Sequence, residues 1–183
     1  MPTVTNVSTG KPKVTGAVYR APAGTALPTD ASTALAGTYV ELGYVSADGV
    51  TNNNTPETEN IKAWGGKTVL VVRNEQTDTF TFTLIEALNL DVLQTVFGSS
   101  KATKAGDLIT VVADGTEVPE AVFVIDMVMR GGKLKRIVIP AGTISSVGEI
   151  TYSDDAAVGY QITLEAMPNS SGVQHYEYIY LGT

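Results

Sequence analysis

Cysteine is absent from this 183-residue sequence, and histidine occurs only once, at His175. Without cysteine the chain cannot form a disulfide, a thiolate metal site or a cysteine nucleophile. One histidine cannot supply a histidine-rich metal site or a two-histidine acid–base pair. We therefore expect no metal and no cofactor, and we interpret His175 as a structural residue.

Positive charge is also scarce. The chain has 12 lysines and arginines against 19 aspartates and glutamates, which gives a net charge of -7. A protein that grips nucleic acid or an anionic membrane needs clustered cations on one face. We therefore expect no specific binding of nucleic acid and no attachment to a membrane surface.

Long hydrophobic runs are missing as well. The longest apolar stretch, residues 121–129, is interrupted by Asp126. It is about half the roughly 20 residues that a membrane-spanning helix needs, so it predicts a buried strand. No apolar run of signal-peptide length follows the polar start of the chain, and we expect the protein to remain where it is made.

The sequence is rich in β-branched residues. Valine, threonine and isoleucine together make up about 31% of the chain, a composition that favours strands over helices. No repeat or change of composition divides the sequence. We predict a single all-β domain over residues 1–183 with one short α-helix, built as two packed sheets or a closed barrel.

Two segments have little to bury. Residues 1–37 form an extended N-terminal arm, in which Pro12, Pro22 and Pro28 prevent a helix and only residues 14–20 favour a short strand. Residues 46–60 include three consecutive asparagines and a proline, which predicts a long loop. Loops beyond about 12–15 residues are usually functional or disordered, so this segment is either a contact loop for assembly or a mobile solvated loop.

The clearest strand pattern covers residues 79–86, where apolar side chains alternate with threonines. Together with residues 67–73 it predicts a β-hairpin whose turn is the polar segment 74–78. Further strands are predicted at residues 39–45, 108–113, 121–130, 133–139, 147–153, 158–166 and 174–181.

Beyond residue 86, apolar residues no longer recur at every second position but at every third or fourth position. This spacing predicts a helix over residues 89–97, capped by Asn89 and ended by Gly98. Because so short a helix is unstable alone, it must pack on the sheet. The predicted core residues are Phe80, Phe82, Leu84, Leu90, Leu93 and Phe97.

Acidic pairs are the first candidates for chemistry. Glu57 with Glu59, and Asp154 with Asp155, could supply the two carboxylates of a glycosidase, but nothing apolar lies nearby to desolvate one partner. Residues 48–54 match a calcium loop only loosely. We predict no catalytic residue and no enzyme activity.

One basic cluster flanks the turn at residues 131–132. It consists of Arg130, Lys133, Lys135 and Arg136. These cations could touch phosphate, but no aromatic residue is interleaved with them. A solvated hairpin tip, or a contact with an acidic neighbour, is the better interpretation on so acidic a chain.

Several segments resemble the major tail tube proteins of long-tailed bacteriophages, particularly those of actinobacterial phages. The segments are GAVYRAPAGT at 16–25, LGYVSADGVT at 42–51, IEALNLDVLQTVFG at 85–98, GEITY at 148–152 and AVGY at 157–160. They extend over most of the chain and contain no catalytic motif.

The resemblance implies a β-sandwich or barrel-like tail tube fold with a flanking helix. It implies stacked, hexameric rings that form a channel through which phage DNA passes without specific binding. The implied partners are other copies of the chain, a tail terminator, and tail tip or initiator proteins. The implied location is the virion, after assembly in the host cytoplasm.

Within that expectation, the exposed loop and the basic cluster are candidate contacts between subunits. The candidate contact residues are Asp48, Asn53, Glu57, Glu59, Arg130, Lys133, Lys135 and Arg136. A monomeric β-sandwich that binds carbohydrate or acts as an adhesion module is the alternative from a different class. That alternative is weakened by the presence of a single tryptophan, Trp64.

Overall fold

A computed structural model describes residues 2–13 and 16–182, with the side chains of residues 74 and 75 left aside. The strands in these ranges are β1 (Lys11–Pro12), β2 (Val18–Pro22), β3 (Val40–Glu41), β4 (Val45–Lys62), β5 (Thr68–Leu84), β6 (Ala102–Ala105), β7 (Leu108–Val111), β8 (Ala121–Val128), β9 (Leu134–Val147), β10 (Tyr160–Ala166) and β11 (Tyr176–Tyr180). The helix α1 spans Leu90–Phe97, and 3₁₀ turns lie at Val4–Asn6 and Arg130–Gly132.

The strands pair antiparallel in one large sheet with the order β3-β2-β8-β9-β10-β5-β4. Strand β1 adds to β8, β11 adds to the first half of β9, and β6 and β7 form a separate hairpin. The sheet does not close into a barrel. The predicted all-β fold with one short helix is confirmed.

One face of the sheet carries the main core, and α1 covers it. Of the predicted core residues, Phe80, Phe82, Leu84 and Leu93 are buried, while Leu90 and Phe97 are partly buried against the same cluster. The other face carries a second, smaller cluster over β8, where Val122 and Val124 pack beneath residues 27–39. Strand β8 is therefore buried on both sides, which explains its unbroken apolar sequence.

The helix begins and ends where the sequence predicts. The side chain of Asn89 accepts a hydrogen bond from the backbone N–H of Asp91 (3.0 Å). At the other end, Gly98 has a φ of 99° and donates its N–H to the carbonyl of Gln94 (3.0 Å). Since both caps are formed by residues next to α1 in the sequence, the bounds of this helix can be predicted without knowledge of the sheet.

Replacing Asn89 by alanine should lower the free energy of unfolding by about 1 kcal/mol, because the N–H of Asp91 loses its cap. Asn89→Ser retains a side-chain oxygen and should keep most of that stability. Urea unfolding followed by circular dichroism measures both variants. Equal stabilities of the two would contradict a capping role.

Four expectations about the strands are wrong. The strand expected at 39–45 is limited to β3 (Val40–Glu41), and residues 42–44 lie in no strand. Residues 46–60 are not a loop but belong to β4, and residues 74–78 are not a turn but lie inside the continuous strand β5. The turn of this hairpin lies at residues 63–67 instead. The strand expected at 147–153 ends at Val147 with β9, and residues 148–159 form no strand.

The N-terminal arm divides into two parts. Residues 2–9 are exposed, whereas Ala17, Val18, Ala21 and Ala31 are buried in the body. The strand expected at 14–20 overlaps β2 (Val18–Pro22) only at residues 18–20, and residues 14 and 15 lie outside the described part of the chain. The part of the arm that follows residue 16 therefore belongs to the folded body, where it contributes to the sheet and to the layer that covers the sheet.

Candidate assembly surfaces

The long hairpin of β4 and β5 extends away from the body as a two-stranded ribbon. We call residues 51–73 the ribbon. Residues 51–62 pair with residues 68–81, from Thr51 opposite Thr81 to Lys62 opposite Thr68, with register shifts between Glu57 and Thr58 and between Ile61 and Lys62. Residues 51–71 are nevertheless exposed. At about 3.3 Å per residue, the distance from Thr51 to Trp64 is about 40 Å.

The ribbon is open at its edges as well as on its faces. Strand β5 pairs with β10 only from Thr79 to Leu84, and β4 pairs only with β5 in the described chain. An isolated two-stranded hairpin is marginally stable in water at best. Free edges of this kind also invite pairing with another chain. The ribbon therefore has the properties of a segment that a partner covers.

The tip of the ribbon is apolar. Gly65 and Gly66 have positive φ values of 100° and 87°, which allow the tight turn that presents Trp64 to solvent. Trp64 is fully exposed, at 107% of its reference area. The neighbouring exposed apolar residues are Ile61, Val69, Leu70 and Val71. Several large apolar side chains exposed within one short segment are typical of an interaction site.

Buried contacts fix the root of the ribbon to the body. Asp78 is fully buried and accepts a hydrogen bond from the side-chain amide of Asn52 (2.7 Å). Its other oxygen contacts the Nδ1 atom of His175, whose ring stands edge-on to Phe80 with the ring centroids 5.3 Å apart. Gln174 donates from its amide to the carbonyl of Gln76 (2.7 Å). The ribbon therefore leaves the body in a defined direction.

A polar surface covers one face of four adjacent strands, β9, β10, β5 and β4. We call it the hydroxyl face. Its residues are matched across neighbouring strands and so share one side of the sheet. They are Thr51, Asn53 and Thr55 of β4, Thr77, Thr79, Thr81 and Thr83 of β5, Gln161, Thr163 and Glu165 of β10, and Thr143 and Ser146 of β9.

The hydroxyl face contains no lysine, arginine or histidine, and Glu165 is its single charged residue. The Oγ1 atoms of Thr81 and Thr163 lie 3.3 Å apart, which ties β5 to β10 on this side. The opposite side of the same strands carries the buried Phe82 and Leu164. Alternation within each strand thus separates the apolar core from a neutral to acidic surface.

The basic cluster is not gathered on one surface. The backbone N–H of Arg130 donates to Ser8 Oγ (2.7 Å). Lys135 pairs with Glu177 at 2.8 Å across β9 and β11. Arg136, however, is only 1% exposed, so its interpretation as part of a solvated hairpin tip is wrong. The register places it directly opposite Asp126, which draws it into the fold.

Arg136 is held by a set of charged and neutral acceptors. Its Nε and Nη2 atoms donate to the two oxygens of Asp126 at 2.6 Å and 2.8 Å. Its Nη1 atom donates to the carbonyls of Asp30 (3.0 Å) and Thr33 (2.9 Å). Burial alone would lower the pKa of Arg136, but the bonds and charge of Asp126 outweigh burial and raise it.

The acidic candidates lie along the hairpin of β4 and β5. Asp48 accepts a hydrogen bond from Ser46 near the root (3.3 Å), while Glu57 and Glu59 are exposed on the ribbon. Asn53 is part of the hydroxyl face. Within the described ranges, no three acidic or histidine side chains are grouped so as to hold a metal ion. No helix in those ranges is both long and apolar enough to cross a membrane.

The principal features of this all-β protein are therefore surfaces, namely a ribbon, open sheet edges and a cation-free face. Such features are typical of a protein that assembles with other protein chains. A family model described as phage tail tube protein matches residues 13–181, and the chain belongs to that family. It is a structural component of the virion and not an enzyme. No curated protein matches the chain.

Proposed function

We propose that this chain assembles into stacked hexameric rings and that the hydroxyl face lines the channel through which phage DNA is ejected. The observation that carries the proposal is the hydroxyl face itself. Four adjacent strands expose threonine, serine, asparagine and glutamine, with one glutamate and no cation. The chain belongs to a tail tube family, and a face without cations suits a channel wall past which DNA has to slide.

The electrostatic argument concerns the phosphates of DNA. Proteins that bind duplex DNA neutralise phosphates with lysine and arginine and so release counterions. A wall of hydroxyl groups and occasional carboxylates offers no such exchange. DNA is then confined without being held, and it can slide past the wall during ejection.

The number of strands fits a ring of six. Four strands from each of six subunits, spaced about 4.8 Å and tilted about 45°, give a circumference of about 160 Å and a diameter of about 50 Å. Subtracting about 10 Å for inward side chains leaves a bore of about 40 Å, which is wider than duplex DNA. The observed sheet supplies four strands with one cation-free face.

The ribbon is the element we assign to contacts between subunits. Its open edges and apolar tip would be covered by neighbouring copies, with Glu57 and Glu59 as candidate contact residues along its length. On the body, Arg130, Lys133 and Lys135 remain candidate contact residues between subunits. Arg136 is buried and is no longer a candidate. At the tube ends, the same surfaces would meet the tail terminator and the tip or initiator proteins.

Negative-stain electron microscopy of the purified protein, combined with size-exclusion chromatography at several concentrations, tests the proposal. We expect hollow rings or tubes, formed spontaneously or after addition of a tail initiator complex. A protein that stays monomeric under all these conditions would contradict the proposal and favour a monomeric glycan-binding module.

A charge reversal tests the channel wall. Glu165→Lys places one cation per subunit on the hydroxyl face, so tubes of this variant should retain linear duplex DNA at low salt and release it at high salt. Glu117→Lys changes the charge equally at an exposed position off this face and should leave DNA binding as weak as in the wild type. A filter-binding assay against salt concentration measures retention. Equal DNA retention by the two variants would overturn the wall assignment.

A further inference from the structure

A groove lies on the body between α1, β2 and β3. Its floor is apolar, formed by Ala21, Pro22, Val40 and Leu42, and its volume is about 410 Å³. We call it the helix groove. Pockets of this size accept a large side chain, and the floor would favour an apolar one.

Three charged residues line the helix groove, namely Arg20, Asp91 and Glu120. Burial lowers the pKa of Arg20, and the charge of Asp91 acts in the opposite direction. Arg20 is thus a partly desolvated cation beside an apolar floor. A guanidinium in this position is a good partner for an aromatic ring, and tryptophan is the best of the aromatic residues for that contact.

The ribbon tip has the complementary chemistry. Trp64 is the single tryptophan of the chain, and two cations, Lys62 and Lys67, stand on either side of it. The turn is held by hydrogen bonds from the N–H of Ala63 to the carbonyl of Lys67 (2.8 Å) and from Gly66 to Ala63 (2.9 Å). The indole is therefore presented on a closed turn, so that little ordering remains to be done on binding.

We propose that the ribbon tip of one copy docks into the helix groove of a second copy. The indole of Trp64 covers the apolar floor and stacks on Arg20, while Lys62 and Lys67 face Asp91 and Glu120. The tip is exposed in its own chain and stands about 40 Å from the root of the ribbon. This inference rests on the proposed assembly and specifies its contact.

A second groove beside α1, which we call the other groove, fits the tip less well. It is lined by Val96, Phe97 and Val112 and has a volume of about 330 Å³. Its carboxylate, Asp114, is already bonded to Lys101. It therefore offers no free acidic partner for the lysines of the tip, which makes it a suitable control position.

The cysteine-free sequence allows a direct test by crosslinking. A variant with Ala63→Cys and Ala23→Cys carries one thiol at the tip and one on the helix groove. The control variant carries Ala63→Cys and Ala113→Cys, which places the second thiol on the other groove. All three alanines are exposed, so that neither pair disturbs the core.

Both variants are assembled under reducing conditions, checked for tubes by electron microscopy, and treated with a short thiol–thiol crosslinker. For Ala63→Cys/Ala23→Cys we expect a ladder of covalent multimers on a denaturing gel, at least ~10-fold stronger than for the control pair, because docking raises the local thiol concentration. Adding Trp64→Ala should abolish the ladder.

The outcomes separate the docking contact from the assembly itself. Tubes without a ladder for Ala63→Cys/Ala23→Cys overturn the docking and leave the proposed tube intact. A ladder for the control pair instead would place the tip in the other groove and also overturn it. If the wild-type chain forms no tubes, the proposed function fails and the docking fails with it.

Discussion

Replacing Arg136 by methionine is expected to lower the free energy of unfolding by about 3–5 kcal/mol, the usual cost of breaking a buried ion pair from one side. Methionine fills much of the same volume as arginine. The expected loss of stability therefore comes from polar groups left without a partner and not from a cavity. Asp126 would remain buried with Lys13 at 3.6 Å as its remaining ion-pair partner. The carbonyls of Asp30 and Thr33 would each lose a donor.

The matched control is Lys135→Met, the adjacent cation on the same strand. Its partner Glu177 is 41% exposed, so this pair is screened by water and should contribute less than about 1 kcal/mol. Arg136→Lys retains the charge but loses the two-pronged bond to Asp126, and it should fall between the two. Urea unfolding measures all three. If Arg136→Met were no less stable than Lys135→Met, the buried pair would not be a principal source of stability.

The effect should extend to the second cluster of the core. Arg136 links β8 and β9 to the turn at residues 30–33, which forms part of the cover over Val122 and Val124. That turn is itself held by Asp30, which accepts backbone hydrogen bonds from Ser32 and Thr33 at 2.6 Å each. These bonds hold the pKa of Asp30 below its usual range. Loss of Arg136 should therefore loosen this cover before it affects the core beneath α1.

The sequence predicts best where the signal is local or where a strand is buried on one face. The helix was identified from its apolar spacing and its two caps, both of which are visible within ten residues. The core positions of β5 follow from the alternation of phenylalanine and threonine between residues 79 and 84, because one face packs inward and the other does not.

The first strand of the ribbon, residues 51–62, could not be predicted because neither of its faces is buried. Without a buried face there is no alternation to detect, and asparagines, glutamates and Pro56 then resemble a loop. The polar residues 74–78 resemble a turn for the same reason. The actual turn at Gly65 and Gly66 is visible in the sequence, but the polar segment that precedes it resembles a loop and concealed its role as a hairpin turn.

The position of Arg136 depended on information that a sequence does not contain. Four residues from a glycine turn, a cation normally lies in solvent. Here the register of β8 against β9 sets Asp126 directly opposite it, and the loop at 30–33 closes over the pair from more than 100 residues away in the chain. The hydroxyl face has the same origin, because four strands from distant parts of the sequence align their threonines only after pairing.

Shortening the ribbon is expected to abolish tube formation while leaving the subunit folded. In this variant, Asn-Gly replaces residues 58–74, so that Glu57 and Glu75, which face each other in the hairpin, are joined by a two-residue turn. None of the removed residues with a described side chain is buried. The free energy of unfolding should therefore change by less than about 1 kcal/mol. The critical concentration for assembly should rise more than ~100-fold, which corresponds to about 2.7 kcal/mol of lost contact energy.

The control replaces Gly106 and Asp107, the turn between β6 and β7, with the same Asn-Gly pair. It alters an exposed turn of the body and should assemble as the wild type does. Sedimentation and electron microscopy measure both variants. Hollow tubes of the shortened chain at wild-type concentrations would show that the ribbon is not an assembly element.

Mixing the shortened chain with the full-length chain distinguishes a missing contact from a damaged subunit. The shortened subunit still has its helix groove and its body surfaces, so it should join a growing tube and then fail to contact the next ring. Small amounts should thus shorten the tubes in proportion to the amount added. A misfolded subunit would instead be excluded, and tube length would follow only the dilution of the full-length chain. Progressive shortening is the expected result, because the acceptor and donor surfaces lie on separate parts of the same fold.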